Sequence, residues 1–337
     1  MQYRVLGRTG LRVSAIGFGG IPIQRCSAAE AERIVRRAAE LGVNFFDTAR
    51  KYLDSELKIG QALKSCRKEV FLASKSPELT AEGIRKDLEA GLKNLGTDCL
   101  DLYQLHNVRG EKKLQTALGP GGALEGLLKA REEGKVRFIG ITSHYPATLL
   151  KAAPTGFFDT LQFPYNYLER EAEAELLPLA GRLGLGTIIM KPLAGGAFKN
   201  AAPALKYLLQ QPVSVLIPGP GSPEEAVANC LVGENPVPPT EEEISQLERE
   251  AKLIGGTFCR RCDYCQPCPN NLNISMIFNL HAYYTRYGLV EKSSRNYRSM
   301  KANYEQCEQC GECEAKCPYH LPIRKMLKEA HATFTST

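Results

Sequence analysis

An apolar run ending in a carboxylate, Val43-Asn44-Phe45-Phe46-Asp47, is followed five residues later by Tyr52. Lys75 closes a second run, Val70-Phe71-Leu72-Ala73-Ser74, and His106 closes a third, Leu100-Asp101-Leu102-Tyr103-Gln104-Leu105. Short apolar runs of this kind read as buried strands, which puts each polar residue at a strand's C-terminal end. In a (β/α)₈ barrel those ends face the active-site mouth. An acid, a phenol, an ammonium and an imidazole on one rim form a proton-donating site. Singly, each has a plainer reading: a strand-end Asp as a cap, a loop Tyr or Lys as surface, one His as a satisfied structural group. Their joint placement carries the chemical interpretation.

The rest of the chain supplies the elements that would position them. The apolar patterning predicts strands at Ala15–Gly19, Val43–Asp47, Val70–Ser74, Leu100–His106, Phe138–Ser143, Thr160–Pro164, Thr187–Lys191 and Val213–Pro218. Helical patterns lie between them at Ala28–Leu41, Ser55–Lys64, Ala81–Asn94, Ala123–Glu133, Ala147–Ala153, Ala172–Leu183 and Ala201–Leu209, with an eighth at Pro223–Leu231. Ser27 and Glu30 have the spacing of a capping box, as do Thr240 and Glu243. Short strands alternating with amphipathic helices imply a parallel sheet, and eight such units imply a closed TIM barrel. Residues 2–13 read as a β-hairpin with Gly7-Arg8-Thr9-Gly10 at its tip. The Pro-rich link Asn235–Pro239 leads to one more helix, and Gly255-Gly256 predicts a hinge between domains at 1–255 and 256–337.

Phe45-Phe46-Asp47-Thr48-Ala49, Tyr52 and Ser55-Glu56 resemble the FDTA-x-x-Y-x-x-SE signature of the aldo-keto reductase superfamily. The resemblance covers roughly residues 1–235, and a hairpin plugging the barrel is a feature of that family. It implies reduction of an aldehyde or ketone by NADPH or NADH, with Asp47, Tyr52, Lys75 and His106 as the catalytic tetrad. In that scheme Tyr52 is the acid, Lys75 held by Asp47 eases loss of its proton, and His106 orients the substrate oxygen. It also implies cofactor contacts. Thr142, Ser143 and Gln162 would hold the nicotinamide carboxamide, with ordinary polar strand ends as the lesser alternative for the first pair. The segment Met190–Gly196, with Lys191, would run beside the pyrophosphate. Gly219, Ser222, Glu225 and Asn229 would lie on the adenosine side. Glu225 occupies the position at which NADPH-preferring relatives carry an Arg, so NADH remains an alternative. Leu53 stands where the family usually has Gly.

Eight of the twelve cysteines crowd into the last quarter. Cys259, Cys262, Cys265 and Cys268 form one run; Cys307, Cys310, Cys313 and Cys317 form the other. The second run has the C-x₂-C-x₂-C-x₃-C-P spacing of bacterial two-cluster ferredoxins, while the first has one residue fewer before its last Cys. Zinc sites usually pair two C-x₂-C knuckles across a gap, so the spacing favours two [4Fe–4S] clusters, and the resemblance to ferredoxins implies an α+β domain around them. The ferredoxin resemblance further implies crossed ligation: Cys259, Cys262, Cys265 and Cys317 on one cluster, Cys307, Cys310, Cys313 and Cys268 on the other. Cys26, Cys66, Cys99 and Cys230 are left as core or surface thiols. Ile277, Phe278, Leu280, Tyr283, Tyr284 and Tyr287 recur at helical spacing, favouring a helix that docks the tail on the barrel over an aromatic electron path. Residues Thr333–Thr337 read as frayed.

The 337 residues accommodate a barrel of about 250 residues and a small module. A net charge of +6 is mild and argues against nucleic acid as the main partner. The first residues carry no apolar leader and no run is long enough to span a membrane, which points to a cytoplasmic protein. Two functions fit. One is an NAD(P)H-dependent carbonyl reductase whose clusters support structure or relay electrons, with a ferredoxin or flavin as possible partner. The other is an electron-transfer or redox-sensing protein whose barrel does not turn over carbonyls. The loops expected to shape a substrate pocket, Ile21–Arg25, Val108–Gly122 and Ala194–Ala202, do not encode which carbonyl compound is bound.

Overall fold

In the computed structural model, which describes residues 1–336, the apolar runs become a barrel. Strands β1 (Tyr3–Val5) and β2 (Arg12–Ser14) pair antiparallel as the expected hairpin. The barrel strands follow in sequence order: β3 (Phe18–Gly19), β4 (Phe45–Asp47), β5 (Phe71–Ser76), β6 (Leu100–Leu105), β7 (Val136–Thr142), β8 (Thr160–Pro164), β9 (Gly186–Met190) and β10 (Val215–Leu216). Each pairs in parallel with the next. The first and last are shorter than the apolar runs predict, because the seam between them uses a few bonds across glycine-rich backbone. Gly17 donates to the Leu216 carbonyl at 2.7 Å, Leu216 to Ala15 at 2.9 Å and Gly19 to Pro218 at 3.0 Å. These bonds bring the sheet's two edges together.

Helices α1 (Ala28–Glu40), α2 (Ser55–Leu63), α3 (Ala81–Leu95), α4 (Gly110–Leu118), α5 (Ala123–Glu132), α6 (Pro146–Ala152), α7 (Leu176–Arg182), α8 (Ala201–Leu209) and α9 (Pro223–Glu234) connect the strands. Helix α1 shows the local logic. Ser27 Oγ accepts from the Glu30 amide while the Glu30 carboxylate accepts from the Ser27 amide, completing the capping box. Its buried residues Ala31, Ile34, Val35 and Ala38 lie on one helical face. Two segments differ from expectation. Pro178 has no N–H and is tolerated only in a first turn, so the segment predicted as Ala172–Leu183 breaks into a 3₁₀ turn at Glu171–Glu173 and a helix beginning at Leu176. Val108–Gly122 contains α4, which buries Leu114 and Ala117 three residues apart.

Inside the barrel, Leu6, Leu11 and Val13 of the hairpin segment pack with Phe45, Ala73, Leu102, Ile188, Val215 and Ile217. Each such side chain contributes roughly 1.5–3 kcal/mol when fully buried, enough to make the plug part of the core. Asp47 and Lys75, both buried, lie at or near the C-terminal ends of their strands.

The chain divides into two units, Met1–Ala194 with Lys199–Glu243 and Gly195–Phe198 with the residues from Ile244 onward. The C-terminal part carries α10 (Glu241–Gly255), α11 (Ile274–Thr285), α12 (Val290–Arg298), α13 (Glu312–Ala315) and α14 (Ile323–Thr335). Its own core includes Ile277, Phe278, Leu280, Leu321, Ile323, Leu327 and Phe334. Of the residues at helical spacing, Ile277, Phe278, Leu280 and the partly buried Tyr284 thus pack within this unit. No strand occurs among its described residues, in place of an α+β pairing; its Cys-, Gly- and Pro-punctuated runs lack the alternation a strand needs. Helix α14 extends through Thr335 where fraying is predicted, because Phe334 stacks on Tyr297 at a centroid distance of 4.3 Å; Thr337 lies outside the described residues. Among the described residues no helix is long and apolar enough to cross a membrane.

Candidate functional site

Asp47 ends β4 and Lys75 lies near the end of β5, with only 2% and 1% of their surfaces exposed. The Lys75 ammonium donates to Asp47 Oδ1 and, at 2.8 Å, to the Thr48 carbonyl. Burial lowers the pKa of Lys75; the Asp47 charge, its hydrogen bond and the charge of Glu56 oppose that shift. The Lys75 Nζ lies 5.1 Å from the centre of the Tyr52 ring. Tyr52 in turn meets His106 edge to face, with centroids 5.7 Å apart and an 86° angle between planes. The structure therefore gathers Asp47, Tyr52, Lys75 and His106 at one place.

Two further side chains join them. Gln104 Nε2 donates to Asp47 Oδ2 at 3.1 Å, and Gln162 Nε2 donates to the same oxygen at 3.0 Å. Both glutamines are fully buried, and the Oε1 atom of each has no hydrogen-bond partner in the protein. Gln104 is absent from the residues the sequence singles out. Its signal was its period-two spacing with Leu102 and His106, which places a lone amide on an inward face of an apolar strand.

The loop carrying Tyr52 is fastened from both ends. Thr48 Oγ1 donates to Ser55 Oγ at 2.9 Å, and Ser55 Oγ donates to the Gly20 carbonyl at 2.9 Å. Glu56, buried beside them, accepts from Ser74 at 2.7 Å, from Asn94 at 3.1 Å and from Arg50. Between the fastenings Leu53 has φ +43° and stays 51% exposed. The loop thus keeps a left-handed backbone of the kind glycine takes, although its side chain is Leu.

The residues expected at a nucleotide occupy the same end of the strands, with several already engaged. Thr142 Oγ1 accepts from the Asn107 amide at 2.7 Å; Ser143 Oγ donates to the Val108 carbonyl at 2.7 Å and accepts from the Tyr145 amide at 3.0 Å. These two hold the turn that follows His106. Lys191 follows β9 in a left-handed conformation, φ +55°. At Gly219 a Cβ would stand 2.6 Å from Pro22 Cδ, so this loop approaches the one after β3 too closely for a side chain. Ser222 caps α9 by accepting from the Glu225 amide at 3.2 Å, while the Glu225 carboxylate turns back to accept from Gly221 at 2.7 Å. Asn229 is buried within α9. Arg25, placed by the sequence in a substrate loop, lies instead against Gly221, its Nη2 2.0 Å from where a Cβ would sit.

The tail cysteines fall into two sets. Cys259, Cys262, Cys265 and Cys317 line one cavity with Ile274, Phe278 and Tyr319. Cys268, Cys307, Cys310 and Cys313 line a second with Leu272, Ile274 and Leu327. Each set draws three members from one run and one from the other. Burial, reinforced by the neighbouring cysteines, pushes the Cys265 thiol up to about 12, and burial pushes Cys313 up to about 11. Among the four remaining cysteines, Cys230 is buried, and burial raises its thiol to about 11.

The Aldo/keto reductase family model matches residues 15–203, 189 of the 337 residues. The chain belongs to the aldo/keto reductase family. A 4Fe-4S dicluster domain model matches residues 258–322. This aldo/keto reductase is 32% identical over 223 residues to L-galactose dehydrogenase of Arabidopsis thaliana, 60% of the chain and 69% of that protein. It is 31% identical over 215 residues to probable aldo-keto reductase 1 of Glycine max, 57% of the chain and only 60% of that relative's length. Among solved structures, the holo form of an aldo-keto reductase from Bacillus halodurans superposes with TM-score 0.65 at 25% identity, covering 74% of this chain and 96% of that one. An aldo-keto reductase from Klebsiella pneumoniae in complex with NADPH gives 0.62 at 26%, covering 74% and 95%.

A leucine at positive φ costs about 1–2 kcal/mol, and glycine returns part of that as lost chain freedom. Leu53→Gly is therefore expected to stabilise the barrel by about 0.5–1 kcal/mol, measured by denaturant titration. A clear loss of stability would show that Leu53 is not strained.

Proposed function

We propose that this aldo/keto reductase reduces an aldehyde or ketone with NADPH at the Asp47, Tyr52, Lys75 and His106 cluster, and that its C-terminal unit holds two [4Fe–4S] clusters. The observation that carries the first part is the buried Asp47–Lys75 pair next to Tyr52 and His106 at the ends of barrel strands. Bound nicotinamide supplies the hydride. The chain's own groups handle the proton and the geometry. His106 orients the substrate oxygen, and Tyr52 gives its hydroxyl proton to that oxygen as negative charge develops there. The adjacent Lys75 ammonium makes the phenol a readier donor, and Asp47 keeps that ammonium in place.

The residues fit a nicotinamide nucleotide. Gln162 spends its N–H on Asp47, which leaves a buried Oε1 able to accept from a carboxamide N–H. Thr142 and Ser143 then serve by holding the turn at His106. The cradle at Gly219, the capped start of α9 with Ser222, Glu225 and Asn229, and Lys191 beyond β9 would take the rest of the nucleotide. Glu225 is tied to Gly221, whereas the Arg25 guanidinium lies against that same glycine. A cation there supports NADPH over NADH, as does the NADPH bound to the Klebsiella pneumoniae neighbour.

The donor sets likewise fit two clusters. Zinc sites usually pair two C-x₂-C knuckles across a gap, whereas these cysteines stand in two tight runs. The two cysteine-lined cavities instead support crossed ligation, Cys259, Cys262, Cys265 and Cys317 against Cys268, Cys307, Cys310 and Cys313. Such clusters supply one-electron chemistry, which hydride transfer does not need. This favours a partner, a ferredoxin or flavin protein, and exposed Cys310 puts the second set near the surface. The same surplus keeps alive a second reading, a redox protein without carbonyl turnover.

Tyr52→Phe or Lys75→Met is expected to lower kcat with a carbonyl substrate by more than ~100-fold while NADPH binding barely changes. Near-normal turnover would remove the mechanism. Arg25→Ala is expected to weaken NADPH roughly tenfold and NADH little, the scale of one charge-assisted hydrogen bond; equal effects on both would separate Arg25 from the 2′-phosphate. For the tail, iron content and EPR of reduced Cys317→Ser and Cys268→Ser test the crossing. Each is expected to disturb the cluster held mainly by the other run. Loss of the cluster local to the mutated run would overturn the crossed arrangement, and four irons in a fully loaded wild type would overturn the two-cluster count.

A further inference from the structure

Asp47 sits in the barrel interior with three donors aimed at its two oxygens. Lys75 takes Oδ1, and the amides of Gln104 on β6 and Gln162 on β8 both take Oδ2. An ionised carboxylate accepts from all three and offers none, which is what three donors require. A protonated acid would turn an O–H toward them. The amide donors of Gln104 and Gln162 are buried, so each would be left unsatisfied without a carboxylate oxygen to accept it. The other ionisable groups around the pair are Glu56, whose charge reaches Lys75, and Tyr52 with its neighbour His106.

We infer that Gln104 and Gln162 are positioning residues that hold Asp47 as a carboxylate, so that buried Lys75 remains an ammonium beside Tyr52. The inference rests on the role proposed for Tyr52. Its physical content is a proton balance. Remove one amide donor, and the proton on Lys75 Nζ moves more easily to Asp47 Oδ1, leaving a neutral acid and a neutral amine. Tyr52 then loses the positive charge beside it and keeps its own proton to higher pH. Gln162 also faces the proposed nicotinamide, so Gln104 is the cleaner residue to test.

The test uses the full chain, with NADP⁺-dependent alcohol oxidation followed across pH. Gln104→Met keeps the volume and removes the donor. It is expected to move the ionisation limb of the rate up by about one unit, with kcat down about tenfold and the Kd for NADPH unchanged. Gln104→Glu should approach wild type at low pH, where the introduced carboxyl is protonated and can donate, and lose activity as it ionises beside Asp47. A folded Gln104→Met whose pH limb coincides with wild type overturns the inference; if that variant does not fold, a flat response of Gln104→Glu does so. Infrared difference spectra against Asp47→Asn provide a readout without turnover. The carboxylate band should dominate at pH 7 in wild type, and a protonated-acid band should grow in Gln104→Met. Unchanged bands refute the positioning role even if the chain proves inactive on carbonyls, whereas active Tyr52→Phe refutes only the proposed function.

Discussion

The buried contact between Lys75 and Asp47 constrains everything around it. Two opposite charges inside a protein are tolerated only when their remaining hydrogen-bonding capacity is met, since desolvation otherwise exceeds their attraction. Here the Thr48 carbonyl, Gln104 and Gln162 meet it. That requirement explains why polar side chains from four strands, β4, β5, β6 and β8, converge in an interior whose other end is filled by Leu6, Leu11 and Val13 of the hairpin segment. It also explains the care with which the Tyr52 loop is secured. A phenol that is to feel the ammonium must be held near it, and Ser55 and Glu56 do so through Gly20, Ser74, Asn94 and Arg50.

Much of this is legible in the sequence alone. Strand ends announce themselves when an apolar run stops at a charged residue, and that placed Asp47, Lys75 and His106 on one rim; the signature around Phe45–Glu56 supplied the family. Contacts made through side-chain direction were not legible. Nothing local says that the amides of Gln104 and Gln162 turn to Asp47, because the reason lies two or more strands away. Arg25 against Gly221 is hidden in the same way, since it depends on how two loops meet across the seam between β3 and β10. Leu53 shows the converse. A leucine stands where the family usually has Gly, and the backbone there keeps the left-handed conformation.

The C-terminal unit divides along similar lines. Cysteine spacing carries its chemistry, because runs of thiols three residues apart have few other uses. The grouping of three cysteines from one run with one from the other depends on how Cys268 and Cys317 return across the unit. Of its helices only α10 and α11 are foreshadowed in the sequence; α12, α13 and α14 are not, and Leu327 and Phe334 of α14 share a local core with Ile277 and Phe278 of α11. A small unit with such a core draws part of its stability from packing and does not rest on its cysteines alone.

In the proposed reaction, hydride reaches a carbonyl carbon in the barrel while the chain provides the proton. The most direct measurement is a single turnover of anaerobically purified protein with an aromatic aldehyde and NADPH deuterated at the transferable position of its nicotinamide. Deuterium is expected on the former carbonyl carbon of the alcohol, and none when Tyr52→Phe is used over the same interval. Oxidation of the nucleotide with reduction of the iron–sulfur centres, and no label in the alcohol, would contradict it.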